Sequence, residues 1–497
     1  MSIKKTAHNA FWNIGGQLLP IAAAVAAVPL LVRAIGVDRF GFLSLAWALI
    51  GYAGLFDLGI SRALTRVVAE RLALGDRDGA IHVARVGAML MGAFGILAGI
   101  LLALGAPWLV FKWLNVPAAL QQESVNALRL LAISIPVVLL MAAYRGVLDA
   151  CHAFKEANIV RMVMGLLTYV GPLLATVWSP RLEWVVGAVV FMRMASTWWH
   201  AVLCWRIFAP LPLGGGIDRP TVKELMSLGG WISVSNIVSP LMAQLDRVIL
   251  GGLVSVKLLA FYATPFDMIT RALLLPYAFM AVLFPVMAGF SKSPAQAQET
   301  YSGSIRLLFV SMLPVSFSAM VLGGPLLNLW LGPEFAEHGT VVLQVLALGV
   351  LANTLAQAPA NLIQGAGNPK WMAITHVLEL PLFLMCLYGL TQAYGINGTA
   401  WSWTLRMILD AGLLFALAQW RLLPAGQGML RWLLAGSGTA VLLVIACIPQ
   451  SGAMAIVTWL VGLMACALLA WFVVLTGSDK RHLFDLLNAR ADSRAVV

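Results

Sequence analysis

The chain has 497 residues, 61% of them hydrophobic and only 11% charged, where ordinary soluble domains carry about a quarter charged residues. That balance excludes a water-soluble globular protein. The formal net charge of +11 does not indicate a nucleic-acid partner either, because the Lys and Arg are scattered between apolar runs and not gathered in one basic stripe interleaved with aromatics.

About 20 apolar residues are needed to cross a hydrocarbon core of about 30 Å. Read against Gly, Pro and charge punctuation, the apolar runs predict helices near 11–35, 40–60, 83–106, 127–149, 159–179 and 183–208. A second set follows near 227–252, 260–286, 305–331, 341–364, 371–392 and 395–420, with two more near 430–448 and 453–475. The expectation is an all-α polytopic membrane protein of about 14 transmembrane helices, built as two parallel six-helix repeats plus two C-terminal helices. Its domains would be a first six-helix lobe at 1–208, a cytoplasmic linker at 209–226, a second lobe at 227–420, an accessory helix pair at 421–476 and a cytoplasmic tail at 477–497. The opening residues carry Lys4 and Lys5 but lead into a run too long for a signal peptide, so an uncleaved first helix is expected.

Orientation follows from Lys and Arg alone. With a cytoplasmic N-terminus, most of the basic residues between spans fall inside, among them Arg62, Arg66, Arg71, Arg145, Lys155, Arg161 and Lys370. The positive-inside rule therefore places both termini in the cytoplasm. The repeat shows as matches in order at an offset of about 215 to 219 residues: Trp12 over Trp231, and Val147-Leu148-Asp149 over Leu362-Ile363-Gln364. Two halves that start on the same side of the membrane predict a substrate site between them. Ser61–Asp76 reads as a helix along the cytoplasmic surface, with an Arg66–Glu70 pair one turn apart and an apolar side of Ala63, Val67 and Leu74. The five cysteines, Cys151, Cys204, Cys386, Cys447 and Cys466, show no paired metal or redox spacing and read as small packing residues.

Several segments carry a resemblance. The fullest runs from Gly229-Gly230-Trp231 through Ser233, Asn236 and Ser239-Pro240 to Gln244-Leu245-Asp246-Arg247 and Leu250-Gly251, then Phe261-Tyr262 and Pro265. Phe56-Asp57-Leu58-Gly59, Ala63-Leu64-Thr65-Arg66 and Gln364-Gly365-Ala366-Gly367 add to it. Together they resemble the polysaccharide transporter, or O-antigen flippase, branch of the multidrug/oligosaccharidyl-lipid/polysaccharide exporter superfamily. That resemblance implies a non-enzymatic carrier in the bacterial inner membrane. It would flip an undecaprenyl-diphosphate-linked oligosaccharide from the cytoplasmic to the periplasmic leaflet by alternating access, with polysaccharide polymerase machinery as a partner.

A charge at the bilayer centre costs about 2.5 kcal/mol or more, so charges inside spans are the informative positions. Arg271 lies four residues after Asp267 on one helical face; it is read as meeting the substrate diphosphate, with a structural Asp267–Arg271 pair as the alternative. Arg193 and Arg406 occupy corresponding helices of the two halves, and guanidinium groups grip phosphate oxygens bidentately. Asp410, one turn after Arg406, offers an internal ion pair as the competing explanation. Glu379 is the one acid of the eleventh span, a candidate proton or sodium site for coupling, with His376 three residues earlier as its alternative hydrogen-bond partner. Asp57 and the Asp246–Arg247 pair fall near helix ends and are read as fixing those ends or gating. No cofactor is expected beyond coupling to H+ or Na+.

Two other functions share parts of this pattern. A multidrug cation antiporter has the same helix plan but favours an acidic, aromatic cavity, whereas the first half here places Arg193 in a span and no acid mid-span. A membrane glycosyltransferase or polymerase using the same lipid carrier needs a large outer loop or a catalytic acid cluster. Here Asp38, Glu123, Glu183, Glu334 and Glu337 are scattered over short loops, and no phosphate-binding loop, metal-ligand cluster or nucleophilic triad is present in the sequence.

Overall fold

The computed structural model describes residues 3–57, 59–208, 218–288, 294–422, 429–448 and 452–481. Among them the regular elements are all helical. In order they are α1 (Ile3–Ile35), α2 (Val37–Ala53), α3 (Ile60–Ala73), α4 (Arg77–Trp108), α5 (Gln121–Ala150), α6 (Phe154–Ala175), α7 (Leu182–Phe208), α8 (Arg219–Leu253), α9 (Val256–Thr270), α10 (Leu274–Ala288), α11 (Pro294–Leu331), α12 (Pro333–Gly365), α13 (Pro369–Arg421), α14 (Met429–Ala446) and α15 (Ala453–Leu469). Nine helices among the described residues are long and apolar enough to cross a membrane. The chain is thus the all-α, multi-pass membrane protein that its hydropathy predicts.

Packing divides the chain into two compact units, Met1–Ala263 and Thr264–Val497. The division falls inside α9, later than the linker expected at 209–226, because α8 packs on α2, α3 and α4. The end of α8 is also bonded to the loop that follows α4: the Asn115 N–H donates to Gly251 O at 3.1 Å and Asn115 Nδ2 to Gly252 O at 2.9 Å. Residues 209–217 of the expected linker and the expected tail from 482 onward lie outside the described residues.

In the first unit, α3 is the centre of a core. Its Ile60, Ala63, Leu64, Val67 and Val68 are buried against Val83 and Met91 of α4, Leu139 and Val147 of α5, Cys204 of α7 and Leu225 of α8. The apolar face of this segment is therefore spent inside the unit instead of lying along a lipid surface, and Leu74, expected on that face, is 82% exposed just beyond the helix end. Arg66 and Glu70 do pair at 2.7 Å on the exposed side. Glu123 locks three helices together: it takes Arg39 of α2 bidentately, at 2.8 and 3.0 Å, and accepts the backbone N–H of Leu182 at the start of α7. Arg39 is thus a structural anchor. Helix α8 begins at Arg219 because Asp218 caps it, accepting from the Thr221 N–H at 2.9 Å. That backbone bond, helped by His82 at 2.5 Å, holds the Asp218 carboxyl down at about 2.

In the second unit, α12 packs along α11 and α13, and α13 doubles back on itself. At Gly395 the backbone takes φ 57°, ψ −135°, a region open to glycine alone. Thr391 Oγ1 and Thr399 Oγ1 are 2.9 Å apart, where eight residues of straight helix would separate them by about 12 Å. The arms 369–394 and 396–421 are therefore the two antiparallel helices expected at 371–392 and 395–420. The accessory helices return to α11: Trp459 Nε1 of α15 donates to Ser318 Oγ at 2.8 Å, and Arg306 pairs with Asp479 at 2.7 Å.

Glu123→Gln, which leaves the 28%-exposed Arg39 guanidinium without its charge partner, is expected to cost about 1–3 kcal/mol of stability, read as a lower melting temperature of the detergent-solubilised protein. Gly395→Ala should cost a similar amount through backbone strain, about 1–3 kcal/mol. Gly398→Ala, whose Cβ would stand 1.8 Å from the Leu390 carbonyl oxygen, should cost more; unchanged melting of both glycine variants would contradict the hairpin.

Candidate functional site

The Gly395 hairpin brings together residues that the sequence separates by about thirty positions. Glu379 on its first arm and Asp410 on its second lie 16 and 15 residues from the turn, which puts both about 23 Å from it. Glu379 is 3% exposed and Asp410 6%. Around Glu379 stand Asp410, Arg406 and His376; His376 Nε2 is 3.5 Å from Asp410 Oδ1, and the Arg406 guanidinium lies over the Phe383 ring at 5.4 Å. Among the described residues no N–H group donates to either carboxylate oxygen of Glu379, which faces the Asp410 carboxyl. Two carboxyls, one guanidinium and one imidazole thus form a single buried cluster in place of three separate sites. Such a cluster can take up and release a proton with little movement, since two adjacent buried carboxyls cannot both carry charge without compensation.

The first unit holds a contrasting site. Arg193 sits 11 residues into α7, about 16 Å from its start and near the middle of the span. Its side chain is half-buried, and its guanidinium has no hydrogen-bond or ion-pair partner among the described residues; Tyr169 of α6 is its electrostatic neighbour. Arg161 of α6 is likewise without a bonded partner among the described residues, lying within electrostatic reach of Arg145 and Asp149. His200, one turn pair below Arg193 and 4% exposed, faces the same Arg145–Arg161 group. Asp149 neutralises this row only weakly, 3.9 Å from Arg145. Arg161 and His200 are functional candidates that sequence reading missed. The signal available was the polar row Arg193, Ser196, Thr197 and His200 in an apolar span, spaced to fall on one helical face.

The remaining expected residues divide between the units. Asp57 is a helix-end residue: its carboxylate accepts from Ser61 N at 2.8 Å and Ser61 Oγ at 2.5 Å, holding the entry to α3. Asp246 is fully buried near the end of α8, accepting from the Arg247 N–H at 2.8 Å and from Tyr262 OH of α9 at 2.5 Å; Arg247 is buried beside it and engaged. This pair joins α8 to α9 within the first unit. Arg271 opens a single 3-10 turn, Arg271–Leu273, between α9 and α10. Pro276 has no N–H to offer the Ala272 carbonyl, which is why the helix is interrupted there. Asp267 and Arg271 both take part in interactions and belong to the second unit. Among the described residues no group of three or more His, Cys, Asp or Glu is arranged to hold a metal ion.

Comparison with known proteins agrees with this architecture. The family model described as "Polysaccharide biosynthesis protein" matches residues 6–291. A Shigella flexneri protein named "Putative O-antigen transporter" is 30% identical over 416 residues, covering 83% of this chain and 97% of its own. Among solved structures, "Lipid II flippase MurJ, inward closed conformation" superposes with a TM-score of 0.69 at 13% identity, covering 93% of this chain and 98% of that one. An inward-facing multidrug resistance MATE family transporter of the MOP superfamily reaches 0.66 at 13% identity, over 82% and 94%. These likenesses at low identity establish the fold, and the family match and the Shigella flexneri relative establish kinship: the chain belongs to the polysaccharide biosynthesis protein family of multi-pass membrane transporters.

Proposed function

We propose that this protein is a flippase that carries an undecaprenyl-diphosphate-linked oligosaccharide from the cytoplasmic to the periplasmic leaflet of the bacterial inner membrane, by alternating access, for surface polysaccharide export. The observation that carries the reading is Arg193. A guanidinium held mid-span without a bonded partner among the described residues costs about 2.5 kcal/mol or more in hydrocarbon, a cost that a diphosphate ligand would offset through charge-assisted bonds. Arg161 and Arg145 add positive charge toward the end of the span that the basic loops mark as cytoplasmic, with His200 beside them. The diphosphate would load there and move inward to Arg193; Arg271 and Arg406 are proposed as substrate contacts within the second unit. Both termini would lie in the cytoplasm, and the exported glycan would pass to polysaccharide polymerase machinery.

Coupling is assigned to Glu379 with Asp410. The pair lies beside Arg406 and His376, and exchange of a proton, or of Na+, between it and the aqueous phases would drive the cycle. A cation-antiporter reading fits less well, since the first half places Arg193 mid-span and no acid there.

Two measurements test the reading in proteoliposomes at matched protein insertion. Arg193→Ala is expected to slow head-group translocation of a labelled undecaprenyl-diphosphate oligosaccharide by about 10- to 100-fold, the loss of one charge-assisted contact, with Arg193→Lys intermediate and Arg271→Ala also impaired. Native protein that moves no lipid under any imposed proton or sodium gradient would sink the flippase reading. Glu379→Gln is expected to retain lipid binding while its translocation stops responding to an imposed pH difference; a response equal to native would remove Glu379 from coupling.

A further inference from the structure

The C-terminal half of α12 shows an unusual accessible strip. From Ala356 to Gln364 the positions that are not buried are Gln357, Asn361 and Gln364, and all three are carboxamides. The rest of this stretch, including Ala356, Ala358, Ala360, Leu362 and Ile363, is buried against Met280 and Met287 of α10, Ile305 and Leu308 of α11, and Ala411 and Leu414 of α13. Asn353, half-buried one turn earlier, extends the same row. Spacings of four, four and three residues place all four on one helical face.

A strip that faced lipid tails would be apolar, as it is on the first arm of α13, where Val377, Leu378, Leu382 and Met385 are exposed. A strip that served as glue between helices would be buried and fully bonded. This one is neither. The amide nitrogens are used internally: Asn353 Nδ2 reaches Met407 Sδ at 3.1 Å, Gln357 Nε2 donates to Asn353 Oδ1 at 3.4 Å and Asn361 Nδ2 to Gln357 O at 2.7 Å. The side-chain carbonyl oxygens of Gln357 and Asn361 accept from no described residue, and they are absent from the buried polar atoms left without partners. They are therefore open, two acceptors one turn apart whose amide nitrogens are held by internal bonds. From Asn353 to Gln364 the row rises about 16 Å, roughly half of the hydrocarbon thickness, and it ends at the tip of the span beside Gly365.

Neutral carboxamides offer both donors and acceptors without charge, which suits hydroxyl-rich ligands and is indifferent to a diphosphate. We propose that the Asn353–Gln357–Asn361 face of α12 is the contact strip for the sugar portion of the transported lipid, separate from the cationic groups that take its diphosphate. The open carbonyls of Gln357 and Asn361 give the glycan successive hydrogen-bond partners about 6 Å apart along the span. This inference rests on the flippase reading and adds to it the part of the substrate that the second unit reads.

The test uses purified full-length protein in nanodiscs and two probes: a radiolabelled undecaprenyl-diphosphate-linked oligosaccharide and undecaprenyl diphosphate without sugar. Gln357→Leu with Asn361→Leu is expected to weaken binding of the glycosylated lipid by about tenfold, as two neutral hydrogen bonds predict, and to leave binding of the bare diphosphate unchanged. The exchange Gln357→Asn with Asn361→Gln, which keeps both carboxamides, should retain most of the native affinity; if the double leucine variant does not fold, Gln357→Ala alone supplies the same comparison at about threefold. Equal loss on both probes, or loss on neither, overturns the strip. Native protein that binds the two probes equally also overturns it while leaving the flippase reading in place, whereas native protein that binds neither removes that reading and this one with it.

Discussion

Hydrocarbon offers no hydrogen bonds, and the rest of this structure follows from that. Every backbone N–H and C=O inside the bilayer has to be satisfied within the chain, which leaves helices as the available element for segments such as α4, α5, α11 and α12. The same scarcity applies to side chains: a polar group kept inside a span is either matched by a neighbour or held for something that arrives from outside.

The charged residues sort along that line. Arg39 with Glu123, Asp57 with Ser61, and Asp246 with Tyr262 are matched locally, and each sits where one helix must be tied to the next. They work as fasteners, and removing one partner would leave the other without its match. Among the described residues Arg193 and Arg161 have no bonded match, and the carboxylate oxygens of Glu379 meet no N–H donor. The first unit thus keeps unmatched cations within its helices and the second a buried acid pair, each unit with its own chemistry.

Backbone irregularities are placed with similar economy. The 3-10 turn at Arg271 follows from Pro276, and the reversal at Gly395 from a backbone conformation that other residues adopt only under strain. The second of these has the larger consequence, because it aligns Glu379 with Asp410 at one depth. A straight helix would hold them about 46 Å apart.

The sequence by itself determined that this is an all-α, multi-pass membrane protein, since spans of apolar residues bounded by charge and Gly or Pro admit no other fold in water or lipid. The kinship was also legible, carried by ordered packing motifs from Phe56 to Gly367, and so were the ionisable positions inside spans, because their cost makes them stand out one residue at a time. Only the tertiary structure decided which of them are neighbours. Glu379, Arg406 and Asp410 form one cluster because a single glycine reverses the chain, while Arg161 comes within electrostatic reach of His200 because α6 and α7 pack side by side. The same holds for the Ser61–Asp76 helix, whose apolar face closes into a core, and for the α12 carboxamides, unremarkable until their neighbours are seen to be buried. Hydropathy records what each residue costs in lipid; which partner offsets that cost is set by contacts between residues distant in sequence, and no local pattern encodes them.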